Sequence, residues 1–446
     1  MNSDYGKILK RVTGFYLSSR DFNGISLEEL YKSTDLTEDD FKSKLLTLIE
    51  DRKIDLVYEG DIPNPHIKPF PAPAITKQIE KLNGISIDDH IRQSEKSAET
   101  LGTGESKIKF FTQSLGCCVY PTPEYLKDIV DWRHYSSRPF ALRLAMGEWQ
   151  LRPYFFELGV LAIYRNDPRY KYRTDDITGS ISAVHDELLN SSDQIFIEHF
   201  GFGFDNGGIR AVAVLLTDLV RLTPEHQQIW NAKMLKGYYK YRLHPDFRKS
   251  ILGYFYDGDS IFSAFLEELR IIKEMSKKIK GVPLIKSAFS WDEKPENFGF
   301  LILPTLREYE LFCHTLDRMI ADNLNDNFFN NEISEADLVD GETMEKLRNQ
   351  LIRKLEIWVN KKIRFSDHDP KNEMFKTFRE VRSLRSKPAH SLFRNDWDLK
   401  FFERQKELVK KAYTAIRILR LILANHTLAK SVKVPDWLFE GRIRTF

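Results

Sequence analysis

The chain has 446 residues, 42% of them hydrophobic and 30% charged; that composition excludes a largely disordered chain, and the length exceeds one ordinary core. No apolar run reaches the roughly 18 residues that a membrane-spanning helix needs, and Met1-Asn2-Ser3-Asp4-Tyr5-Gly6-Lys7 lacks the basic and apolar regions of a secretory signal. The formal net charge of +2 hides an asymmetry, because residues 342–446 carry 25 Lys and Arg against 13 Asp and Glu; a basic end either faces a polyanion, most often nucleic acid, or displays its charges on solvated helix faces.

The three cysteines, Cys117, Cys118 and Cys313, cannot build a disulfide framework and lack zinc-site spacing. A reducing, cytoplasmic location is therefore expected. The adjacent pair Cys117-Cys118 reads as part of a buried strand.

Residues 1–62 fall into well-punctuated segments. Ile8, Val12, Phe15 and Tyr16 recur at helical spacing. Ser26-Leu27-Glu28-Glu29 is a capping box before Leu27, Leu30 and Tyr31, and Thr37-Glu38-Asp39-Asp40 repeats the signature before Phe41, Leu45, Leu48 and Ile49. Ile54-Asp55-Leu56-Val57-Tyr58 alternates like a strand. This order resembles a winged helix. Its third helix would be the one to enter a DNA major groove. That helix and its flanks carry Asp39, Asp40, Glu50 and Asp51 beside Lys42, Lys44, Arg52 and Lys53. The near balance of charge favours a structural or protein-binding role over phosphate contact.

Residues 63–106 read as a linker. Five prolines between Pro63 and Pro73 exclude helix and central strand, and the polar stretch Gln93–Ser106 reads as a loop. Residues 107–302 suggest an α+β domain with antiparallel strands. Strand character is expected at 108–111, 158–163 and 195–198, and a hairpin over 170–184 turns at Asp175–Gly179. Helices are expected at 224–235 and 261–278. Gly201–Gly208 reads as a tight hairpin rather than a phosphate-cradling loop, since no Lys-Ser/Thr follows it. Two polar sets could line a site: Arg138, Arg143, Glu148, Gln150 and Arg152; and His185, Asp186, Glu187, Glu198 and His199. The second has no strict metal-ligand spacing.

After Pro304 the period becomes helical. Leu306, Tyr309, Phe312, Leu316, Met319 and Leu324 make one stripe behind a Thr305 cap. Met344, Leu347, Leu351, Leu355 and Trp358 make a second, and Met374, Phe378 and Val381 a third. Leu408, Ala412, Ala415, Leu419 and Ile422 make the fourth. Four such helices predict a bundle over 303–430, with 431–446 as a tail.

The third stripe continues by four residues onto Arg385. A guanidinium at a core-facing position must find a cleft, another subunit or a carboxylate, with Glu356 and Glu380 as candidates. Pro388 breaks the helix beyond it and turns His390 toward the bundle opening. Arg385-Ser386-Lys387-Pro388-Ala389-His390 on the third helix of a basic bundle resembles the HEPN superfamily, whose helical bundles carry an Arg-x4–6-His motif near the end of that helix. The resemblance covers about residues 303–426. Ser386 stands where the family more often has Asn, Asp or His.

The resemblance implies a metal-independent endoribonuclease, without cofactor, that acts on RNA as a homodimer with two facing motifs. Its setting would be antiphage defence or a toxin-like system, with a protein partner for the N-terminal or middle domain. It implies that His390 moves protons, Arg385 stabilises the phosphate charge and Ser386 positions the phosphate, giving a 2′,3′-cyclic phosphate. The rival reading is a non-catalytic nucleic-acid-binding or dimerisation protein whose Arg385 is simply paired.

Overall fold

The computed structural model describes residues 4–60, 64–96, 99–101, 108–110, 115–184, 186–254, 258–290, 293–333, 350–386 and 395–445. Local chemistry sets the first elements. Helix α1 is Asp4–Ser18, followed by β1, Ile25–Ser26, and α2, Leu27–Lys32. The Ser26 hydroxyl accepts from the Glu29 N–H, and Thr37 accepts from the Asp40 N–H at the start of α3, Glu38–Glu50. These side chains satisfy backbone donors that a helix start leaves open.

Strand β2, Ile54–Tyr58, is followed by α4, Ile75–Gly84, and α5, Ile87–Lys96. Within the polar stretch expected as a loop, α5 runs on to Lys96. Beyond it β3, Glu99–Leu101, pairs antiparallel with β4, Ile108–Phe110. Then β5, Cys117–Pro121, enters between β1 and β2 and pairs antiparallel with both; Val119 faces Ile25 on one side and Leu56 on the other. The strand is buried throughout, as expected for the cysteine pair.

All of β2 is buried despite its polar member. Asp55 pairs with Lys68 at 3.1 Å, and Gln78 of α4 accepts from the Leu56 N–H at 2.8 Å. Asp55, which alternation would place on an exposed face, is thus buried, and Gln78 covers the backbone at Leu56.

The chain continues through α6, Pro123–Ile129; α7, Pro139–Ala145; and β6, Pro153–Phe156. Residues 158–163 are not a strand. Helix α8, Gly159–Arg165, buries Val160, Leu161 and Tyr164 on one face, a spacing that a short apolar run does not separate from a strand.

The expected hairpin is present as β7, Tyr170–Thr174, and β8, Thr178–Ala183; Asp175 accepts from the Ile177 and Thr178 N–H groups at the turn. Strands β9, Phe196–Asp205, and β10, Arg210–Leu215, form the glycine-rich hairpin, closed by Asp205 Oδ1 accepting from Gly207 and Ile209. Helices α9, Leu216–Val220, and α10, Pro224–Ala232, follow, then β11, Tyr241–Leu243, and α11, Pro245–Ile251.

Strand β12, Asp259–Ser260, leads into α12, Ile261–Lys280. The later helices are α13, Leu306–Ile320; α14, Gln350–Lys362; α15, Asp369–Ser386; α16, Lys400–Ala424; and α17, Asp436–Phe439. A last strand, β13, Ile443–Arg444, pairs parallel with β12. The architecture is α+β with mostly antiparallel strand pairs.

The chain divides into two compact units that interleave along the sequence. One comprises Met1–Glu157, Ser180–Phe200 and Ala211–Tyr241; the other comprises Leu158–Gly179, Gly201–Arg210 and Arg242–Phe446. The sequence boundaries at 62, 106 and 302 do not coincide with this division. In the first unit α1, α3, β2 and β5 enclose an apolar core that includes Val12, Phe41, Leu45, Leu56 and Val119, and β6 pairs antiparallel with β10, Val212 opposite Phe156.

In the second unit α16 packs against α12 and α15, while α15 also packs against α13 and α14. Helix α12 is thus a bundle member, although the sequence pattern places it in the preceding domain. Glu268 of α12 and Arg420 of α16 form a buried ion pair across that contact.

Candidate functional site

Helix α15 brings Arg385 to its site by simple periodicity. Met374, Phe378 and Val381 are buried, and four residues beyond Val381 the last turn presents Arg385. Arg382 lies three residues earlier, so both guanidinium groups share one face. They meet two carboxylates from the end of α13: Asp317 in its last turn and Asp322 just beyond its C-terminus.

The contacts interlock. Arg382 Nη1 donates to Asp317 Oδ2 at 2.6 Å and to Asp322 Oδ1 at 2.7 Å. Arg385 Nη1 donates to the same Asp317 oxygen at 2.7 Å and to Asp322 Oδ2 at 2.5 Å. The Asp317 side chain is 0% exposed, whereas Arg385 keeps 31% and Asp322 39% of their side-chain surface. Both Arg385 contacts among the described residues use Nη1.

Two carboxylates at the negative end of α13 oppose its dipole, so the positive groups of α15 are a physical requirement of this junction. The hydrogen bond to Asp317, assisted by Asp322, holds the Arg385 guanidinium above its ordinary pKa even against partial burial. Burial pushes the Asp322 carboxyl upward, but hydrogen bonds from Arg382 and Arg385 outweigh it and leave the pKa below the usual value. With two charges of each sign the cluster is neutral. Chemically it is a clamp that fixes two partly exposed guanidinium groups, of which Arg385, the more exposed, lies in the last turn of the helix.

The carboxylates suggested by sequence are used elsewhere. Glu356 takes Arg379 and Glu380 takes Lys411, so the pairing of Arg385 is real but its partners are Asp317 and Asp322. These residues and Arg382 escaped the sequence reading. The one available signal was the i, i+3 spacing of the two arginines. Ser386 closes α15; its side chain and the whole of His390 lie outside the described residues.

The polar sets of the middle region behave differently from one another. Arg152 and Arg143 approach Glu148 at 3.3 and 3.7 Å, so these three converge. Arg138 stacks on Tyr135 instead, and Gln150 is buried, accepting from the Lys68 N–H. His185 lies outside the described residues, Glu198 stands 4.0 Å from Arg221, and no group of three or more His, Cys, Asp or Glu able to hold a metal occurs among the described residues. Gly201–Gly208 is spent on the β9–β10 hairpin.

No family model, curated protein or solved structure matches the chain.

Proposed function

We propose that the chain is a metal-independent endoribonuclease of the HEPN type, acting on RNA as a homodimer, in a toxin-like or antiphage role. The observation that carries this reading is the Asp317–Asp322 clamp on Arg385. It supports a guanidinium whose position is set by the bundle and which retains exposed surface beside the segment leading to His390. The helical arrangement of α13 to α16 is compatible with the HEPN bundle.

In the reaction the substrate's 2′-oxygen attacks the adjacent phosphorus, and the bond from phosphorus to the 5′-oxygen breaks. One His390 removes the 2′-hydroxyl proton, and the His390 of a second copy returns a proton to the leaving 5′-oxygen. Arg385 donates to the non-bridging oxygens as their charge grows, and Ser386 positions the phosphate. The products are a 2′,3′-cyclic phosphate and a 5′-hydroxyl end. DNA lacks the nucleophile.

The test is incubation of the full chain, His390→Ala and Arg385→Ala with RNA in EDTA. Cleavage is expected for the parent chain, with a loss of at least about 100-fold in each variant. Cleavage that survives both substitutions sinks the proposal.

A second reading is favoured by one observation: the four cluster charges cancel, so Arg385 serves only as a counterion in a non-catalytic protein. The N-terminal elements fit a winged-helix-like module in either case, with β5 as its third strand. Ile85, Leu82 and Ile87 pack over α3, and Glu38 accepts from the Ile87 and Asp88 N–H groups. That cover on the would-be recognition helix supports a structural or protein-binding module rather than a DNA reader.

A further inference from the structure

The first unit contains an open cleft of about 1120 Å³, bounded by α3, the proline-rich segment, α6, α7 and the turn before β6. Such a volume matches or exceeds the sites of ordinary small ligands. Two features of its wall set the chemistry of an occupant.

The first is aromatic. Phe70 is 72% exposed, yet its ring is held in a stack on Trp149, centroids 5.3 Å apart and planes at 30°. A large apolar side chain exposed at this level forgoes burial, and the stack presents it as a flat platform.

The second is a guanidinium pair. Arg143 and Arg152 both approach the single carboxylate of Glu148, and they lie over the Tyr154 ring at 4.9 and 5.5 Å. The Tyr154 hydroxyl donates to Glu148 and accepts from Arg143 Nη1 at 3.1 Å. The cleft's lining carries five cationic side chains against three carboxylates, Asp55, Glu124 and Glu148, so its wall is net positive, and hydrogen bonds hold Arg143, Glu148 and Tyr154 in place. Arg143, Glu148, Trp149 and Arg152 all line the same cleft as Phe70.

A flat platform and a net positive wall call for a ligand with a planar ring and an anionic group. We propose that this cleft binds a nucleotide, its base stacked on the Phe70–Trp149 platform and its phosphate on Arg143 and Arg152. An uncharged apolar ligand would strip water from the guanidinium groups without replacing their partners. A free phosphate would leave the platform unused.

The experiment is isothermal titration of the full chain with ATP, GTP, CTP and UTP, with adenosine and inorganic phosphate as separate arms. At least one nucleotide should bind, and adenosine and phosphate should each bind at least about tenfold more weakly. Phe70→Ala and Arg152→Gln should each weaken nucleotide binding about tenfold or more, since base stacking and charged hydrogen bonds each contribute on that scale. Phe70 is exposed, so Phe70→Ala should leave the melting temperature unchanged and keep the test clear of folding. The proposal is overturned if no nucleotide binds at about 1 mM, if phosphate alone binds as tightly, or if either variant binds like the parent chain.

Discussion

The clamp on Arg385 makes a quantitative prediction, because two arginines cover the same buried carboxylate. In Arg385→Ala, Asp317 keeps its contact to Arg382 and Asp322 keeps one partner. A hydrogen bond to a charged group contributes about 1.5–3 kcal/mol, and the partial exposure of Arg385 places its loss at the lower end, about 1–2 kcal/mol. Arg382→Ala should behave alike. The double variant leaves Asp317, with no exposed side-chain surface, beside the negative end of α13 without either arginine. That state should cost about 3–5 kcal/mol. Its excess over the two single losses is a positive coupling of about 1 kcal/mol.

Calorimetry on the full chain reads this as a shift of the bundle transition, about 2–4 °C for each kcal/mol in a unit of this size. Adding Asp317→Asn to the double variant removes the stranded charge and should recover about half of the loss. Strict additivity of the single variants, together with no recovery from Asp317→Asn, would refute the claim that Asp317 depends on the two arginines.

Three further outcomes follow from individual residues. Burial raises the Asp176 carboxyl to about 6 against Lys294 and Arg210 nearby; a raised folded value means that stability is greatest below the unfolded value near 3.8 and falls as pH rises toward 6. Asp176→Asn, which tolerates the positive φ of 70° there, should therefore be tolerated better at pH 7 than at about pH 3.5, by up to about 3 kcal/mol, measured by denaturation at both values. Asp322 has the opposite sign: its lowered pKa supplies stability above its unfolded value that disappears as pH falls through the folded one, so Asp322→Asn should lose its destabilising effect in acid melts. At Gly201 an added Cβ would lie 2.2 Å from the Phe247 ring, and Gly201→Ala should cost about 2–3 kcal/mol in a thermal melt unless Phe247 is also made smaller.

The legible parts of the sequence were those decided within one or two turns. Ser26 and Thr37 marked helix starts because a cap satisfies N–H groups three residues away. The stripes through Phe312, Phe378 and Leu408 repeat for long enough to exclude other periods. The Cys117-Cys118 strand was legible as a strand, but its place in the N-terminal sheet was not. Its pairing, Val119 against Ile25 and Leu56, joins segments separated by the whole proline-rich insertion. Nor was α8, where a short apolar run serves strand and helix equally, nor the membership of α12 in the bundle, which rests on its contact with α16.

Arg385 shows where the boundary falls. Register alone placed a guanidinium on a core-facing position, and the cost of an unpaired charge demanded a carboxylate. Which carboxylate could not follow, because Asp317 reads locally as a polar residue on the face of α13, as unremarkable as Glu356 or Glu380. The structure supplies the partner and also a means of separating the two readings of the site. Arg382 duplicates the contacts of Arg385 to both aspartates, so the counterion role is shared while the position next to Ser386 is not. A purely structural Arg385 would make Arg382→Ala and Arg385→Ala equivalent in every assay. A catalytic Arg385 would leave their melting temperatures similar and abolish RNA cleavage in Arg385→Ala alone, because only that guanidinium sits on the last turn before the segment carrying His390.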